Sequence, residues 1–218
     1  MKPIPLHARR WRHIIPVLTL LWALAGCHPS APPALSSATF IDPPLEVDAF
    51  RLTDHKGRAF TREHLRGAWS LAFFGYSHCP DVCPQALAIL NQLIGQLQDQ
   101  GVPALPRVLF VSLDPEHDSP QQLARYLAAF PPVFTGVTGD PGELHKLTRP
   151  LGIFANPAAS PSTGSEKTPG AAGLIDHSSV IVLFNPDGAA RALFTGPPAA
   201  ADIARDFLAL RAWRGDGS

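Results

Sequence analysis

Apolar and polar positions fall into blocks along the chain, and the period within each block predicts an element. Residues 50–53 and 59–60 flank the turn-forming stretch Asp54-His55-Lys56-Gly57, which predicts a hairpin. Trp69 to Phe74 is a largely apolar run of buried-strand length. Ala86, Leu90, Leu93 and Leu97 then recur at helical spacing, with Leu87 and Ile94 beside them. Pro84 suits the first turn of that helix, where its missing N–H would have no partner, and Gly101 suits its end. Val108 to Leu113 predicts a second buried strand. Ser119-Pro120-Gln121-Gln122 opens a helix through Leu123, Leu127 and Phe130, and Asp140-Pro141-Gly142-Glu143 opens a shorter one. Val180 to Phe184 and Arg191 to Phe194 flank Asn185-Pro186-Asp187-Gly188 as a hairpin. Ile203, Phe207 and Leu210 mark a last helix.

Strands alternating with helices, closed by a hairpin and a helix, predict an α/β fold with a central mixed sheet and helices on both faces. A thioredoxin-like arrangement fits this order. The chain of 218 residues suffices for one such domain, placed at residues 45–213. Residues 156–173, rich in Pro, Ala, Ser and Gly, are expected to form a surface insertion. No internal repeat is present.

Charge changes the picture at the N-terminus. Lys2, Arg9, Arg10 and Arg12 precede any acidic residue, the first of which is Asp42. They lead into the apolar run Ile14 to Ala25, short for a membrane span and shaped like the core of a signal peptide. Leu24-Ala25-Gly26-Cys27 follows and resembles a bacterial lipobox. Residues 1–26 are therefore expected to be a lipoprotein signal peptide and Cys27 the lipidated N-terminus; a single uncleaved anchor is the alternative. Either way the domain is expected in the cell envelope, facing the periplasm. Residues 27–44 contain five prolines and are expected to be a tether. Removing those four from 18 basic residues, against 18 acidic, leaves a net charge of about −4. No basic stripe remains, which argues against nucleic acid as a partner.

With Cys27 assigned to lipid, Cys79 and Cys83 are the remaining cysteines. They lie in Phe74-Gly75-Tyr76-Ser77-His78-Cys79-Pro80-Asp81-Val82-Cys83-Pro84, between a strand and a helix, where α/β folds place their sites. A helix N-terminus stabilises a thiolate through its free N–H groups and its dipole. Thiols about one turn apart project to one side, and two soft ligands aimed at one point suit Cu(I) well and zinc less selectively. A plain disulfide closing a very small ring is the structural alternative.

Two thiolates leave a metal short of ligands, which directs attention to histidine. His55, His64, His117 and His145 fall in polar turns, loops or a small helix and read as surface groups. His78 adjoins Cys79, but neighbouring side chains diverge. His177, in Asp176-His177-Ser178-Ser179, precedes a buried-type strand that could return to the sheet end near the cysteines. A core histidine bonded to a carbonyl explains it equally well.

The cysteine motif, with Val111-Ser112-Leu113-Asp114-Pro115-Glu116-His117-Asp118, Asp176-His177-Ser178 and Asn185-Pro186-Asp187-Gly188 in this order, resembles the Sco/SenC family of membrane-anchored copper proteins. The resemblance implies a thioredoxin-like fold and copper, as Cu(I) or Cu(II), held by Cys79, Cys83 and His177. Asp81 would stand behind these ligands without binding metal itself. It further implies assembly of the binuclear copper centre of cytochrome c oxidase subunit II, with other periplasmic copper carriers as further partners. His117 stands where the family usually has arginine, Leu174 where an aromatic is common, and the 156–173 insertion is untypical.

A copper metallochaperone is therefore the leading expectation, and it requires no catalytic turnover. A membrane-anchored thiol–disulfide oxidoreductase reducing the cysteines of the oxidase copper site needs only Cys79 and Cys83. A peroxidase-like enzyme would want an arginine near the thiolate, and none occurs between Arg66 and Arg107.

Overall fold

A computed structural model describes residues 32–153, 180–196 and 198–213. Cys27, His177, the signal segment and the 156–173 insertion lie outside the described residues. One sheet of eight strands organises the rest: β1 (Ala38–Leu45), β2 (Arg51–Asp54), β3 (Ala59–Thr61), β4 (Ser70–Gly75), β5 (Arg107–Ser112), β6 (Phe134–Thr138), β7 (Ile181–Phe184) and β8 (Ala190–Phe194). Their order is β1-β8-β7-β4-β5-β6-β2-β3. The β4-β5-β6 centre is parallel and the flanking pairs are antiparallel. The helices are α1 (Val82–Asp99), α2 (Pro120–Tyr126), α3 (Pro141–Thr148) and α4 (Ala200–Ala212).

Both faces of the sheet are covered, which is why β4 reads as a continuous apolar run rather than an alternation. Leu71 and Phe73 pack toward α1 and α4, against Leu87, Leu90, Leu93 and Phe207. Ala72 and Phe74 face the opposite side, with Leu144 and Leu147 of α3 and Phe50 and Phe60 of the β2–β3 hairpin. The hairpins form where turn chemistry predicts them. Gly57 (φ 78°) and Gly188 (φ 82°) take left-handed conformations that their turns require. Ser119 and Asp140 cap α2 and α3 through their side-chain oxygens, as expected.

Two strands depart from expectation. The tether assigned to residues 27–44 instead contributes, from Ala38 onward, the edge strand β1 paired with β8. Pro43 and Pro44 are tolerated because an edge strand needs ladder bonds on one side only, and the register shifts between Phe40 and Leu45. Asp206 of α4, fully buried, fixes the entry to this strand. Its carboxylate accepts the backbone N–H groups of Ser36, Ser37 and Ala38 at 2.8 Å each, and both serine hydroxyls at 2.9 Å. Buried Arg191 of β8 lies between the rings of Phe40 and Trp213, 4.5 and 4.6 Å from their centres. The second departure is β6, a short strand of mixed polarity that the residue pattern does not announce.

Candidate metal and thiol site

β4 delivers the chain to the end of the sheet, and the loop Tyr76–Asp81 turns it into α1. Cys79 precedes the helix and Cys83 lies in its first turn, both as free thiols. Cys83 is 1 % exposed and Cys79 is 9 % exposed, so one thiol is sealed and the other sits at the rim.

The helix N-terminus makes the pair unequal. Burial pushes the Cys79 thiol up, but the N–H groups of Asp81, Cys83 and Val82 and the Cys83 thiol together hold it below the ordinary cysteine value. Cys83 is pushed up to about 12, first by burial and then by the neighbouring Cys79. Burial and the Cys79 charge also raise Tyr76. Cys79 is therefore the more readily ionised of the two thiols, with Cys83 behind it the harder to ionise.

Asp81 acts here through its backbone. It is the residue preceding α1, its carboxylate makes no cap bond, and its side chain accepts a hydrogen bond from Gln85 Nε2. Its N–H, not its carboxylate, is what stabilises Cys79.

Two residues overlooked by sequence reasoning shape the site. Gly75 ends β4, and a Cβ there would lie 2.6 Å from Cys83 Sγ and 3.1 Å from the Phe73 ring. Only glycine lets the Cys83 sulfur close onto the strand. Gly75→Ala should displace that thiol and cost roughly 1–3 kcal/mol of stability as an overpacked core does. Urea unfolding with thiol-labelling rates checks this; unchanged values for both would contradict it. Asp118, fully buried, is the second. It accepts Ser77 N–H at 2.9 Å, and the hydroxyls of Ser77 and Ser112 at 2.5 Å each. The cysteine loop is thereby pinned to the end of β5. A sequence signal existed, since Ser77, Ser112 and Asp118 all lie within the motifs, but their meeting depends on the fold.

The histidines divide. His145 is exposed, as expected. His64 is exposed and accepts Thr61 N–H at 3.0 Å. His55, expected as a solvated group, is half-buried instead: its ring Nδ1 accepts Gly136 N–H at 3.0 Å, and its backbone N–H donates to Gly136 O at 2.8 Å. It clips the β2–β3 turn onto β6. His78 and His117 both turn toward Asp114 beside the thiols, with His117 Nδ1 2.9 Å and His78 Nε2 3.4 Å from its carboxylate. The Asp114 carboxylate raises the pKa of His117.

Residues 41–211 match the family model described as SCO1/SenC. The human protein "SCO2 homolog, mitochondrial" is 38 % identical over 141 residues, 64 % of this chain and 50 % of that protein. This chain spans about half the length of the first curated relatives it matches. The crystal structure of yeast Sco1 with copper bound superposes with a TM-score of 0.64 at 28 % identity, covering 78 % of this chain and 91 % of that one. A structure of BsSco, described as a member of the Sco family of cytochrome c oxidase assembly proteins with a disulfide switch, gives 0.58 at 25 % identity, covering 81 % and 99 %.

Proposed function

The chain belongs to the SCO1/SenC family, and from that premise we propose that it is a copper metallochaperone for cytochrome c oxidase, holding its cargo through Cys79, Cys83 and His177. The observation that carries the reading is the dithiol itself, two sulfurs converging at a helix N-terminus behind a strand that ends in Gly75. Thiolates are soft ligands and suit Cu(I); an added imidazole suits Cu(II). Cys79 ionises the more readily and Cys83 the less so, and both give up their protons when metal arrives. Support for His177 comes from the topology around it. Ile181 opens β7 opposite Phe73, so β7 starts at the same sheet end to which β4 delivers the cysteines. The recipient in this proposal is oxidase subunit II, with exchange from other periplasmic copper carriers, and Cys27 anchors the protein to the membrane by lipid.

The unequal thiols favour a second reading, reduction of the oxidase copper site. The Cys79 thiolate would attack a partner disulfide, releasing one partner thiolate. Cys83, losing its proton to solvent or the partner, would then displace the second and leave a Cys79–Cys83 disulfide with a reduced partner. His177→Ala separates the two. Thiol exchange should persist at close to the normal rate, while Cu(II) affinity falls at least about tenfold and oxidase assembly fails. Normal oxidase activity in cells carrying His177→Ala would favour the reductase.

A further inference from the structure

A second constellation of metal-binding atoms lies on the rim of the thiol site and plays no part in the reading above. The carboxylate of Asp114 stands between two imidazoles. His117 Nδ1 is 2.9 Å from both of its oxygens, and His78 Nε2 is 3.4 Å from Oδ2. One ligand atom from each of the three residues falls within 4.8 Å of the others.

The groups are held in place rather than merely near one another. The Tyr76 ring packs 4.7 Å from the His78 ring, and the two imidazoles stand 5.4 Å apart at 64°. Asp114 N–H donates to Ser112 Oγ at 3.1 Å, and Ser112 is fixed in turn by buried Asp118. His117 N–H and Asp118 N–H both return to Asp114 O, at 3.3 and 2.9 Å, closing the loop into a tight turn. The side chains of His78 and His117 remain 53 % and 69 % exposed, so an ion could enter directly from solvent.

Metal–nitrogen and metal–oxygen bonds of about 2.0–2.2 Å place neighbouring ligand atoms roughly 3 Å apart. The 2.9 and 3.4 Å histidine–carboxylate separations are already near that value, and the two imidazole nitrogens, which lie within 4.8 Å, would close toward each other around an ion. Two imidazoles and a carboxylate form a borderline nitrogen–oxygen set, unlike the soft dithiol beside it, and among divalent ions such a set binds Cu(II) most tightly. We propose that His78, Asp114 and His117 form a second cation site, separate from the thiol site, that takes Cu(II) in preference to Zn(II).

The site is independent of the thiol reading and is tested with the thiols removed. The full chain carrying Cys79→Ser and Cys83→Ser, in detergent micelles, is titrated with Cu(II) and followed by electron paramagnetic resonance. The expected result is a bound Cu(II) whose spectrum shows nitrogen coupling from two imidazoles. Adding His117→Ala or His78→Ala should weaken it at least about tenfold, and His145→Ala should leave it unchanged. Both altered histidines are exposed, and circular dichroism on each variant confirms that the fold persists. Absence of Cu(II) binding in the parent variant, binding undiminished without His78 and His117, or binding abolished by His177→Ala would each overturn the proposal.

Discussion

Oxidising Cys79 and Cys83 to a disulfide, or replacing either with serine, should weaken Cu(I) binding by at least about a hundredfold relative to the reduced chain. Serine keeps the shape but removes the soft ligand, since its hydroxyl does not ionise near neutral pH. Cys83→Ser should also cost stability, because Cys83 is 1 % exposed and packs on the end of β4, where a hydroxyl lacks the thiol's apolar character. Cys79→Ser, at the rim, should leave stability nearly unchanged and abolish the reactive thiolate. Competition against a Cu(I) chelator, with denaturant unfolding of both variants, separates ligand loss from unfolding. Equal copper retention by the disulfide form would remove the cysteines from the site.

Asp206→Ala should destabilise the fold by about 3–5 kcal/mol, as much as the truncation of a large core side chain. The substitution strands three backbone N–H groups and two hydroxyls that now share one buried carboxylate. Burial pushes the Asp206 carboxyl up, but the N–H donors of Ser36, Ser37 and Ala38 outweigh it and hold the pKa below the ordinary value. A carboxyl depressed on folding contributes its full stabilisation above the unfolded pKa and loses it as pH falls through the folded one. Acid should therefore loosen β1 from α4 in the wild type and have less effect on Asp206→Ala. Truncation at residue 44 removes most of β1 together with this clamp and should destabilise comparably. Urea unfolding at neutral and acid pH checks the account; a loss below about 1 kcal/mol for Asp206→Ala would refute the clamp.

Much of this architecture was legible in the residues because local signals and the fold agree. β4, α1 and β5 announce themselves by apolar runs and helical spacing, and the two hairpins by glycines at their turns. β1 was hidden because its prolines mimic a tether, and its strand character comes from β8, Asp206 and Arg191, all more than 140 residues away. β6 was hidden because Thr135 and Gly136 interrupt its apolar pattern, and its place is set by β5 and β2. The dithiol was readable from the motif alone. Its inequality was not, because it depends on how deeply each sulfur sits and on which N–H groups reach Cys79. Asp118 and Gly75 escaped notice for the same reason: a buried latch and a missing Cβ matter only once distant strands have met.

The central claim is that copper sits between Cys79, Cys83 and His177, and X-ray absorption at the copper edge tests it most directly. The reduced chain is loaded with a single equivalent of Cu(II) or Cu(I), with His78→Ala and His117→Ala present to silence the rim site. The account predicts two sulfur ligands in both oxidation states, and an imidazole nitrogen in the Cu(II) form that disappears in His177→Ala. A copper shell of nitrogen and oxygen alone, or a Cu(II) shell unchanged by His177→Ala, would contradict it.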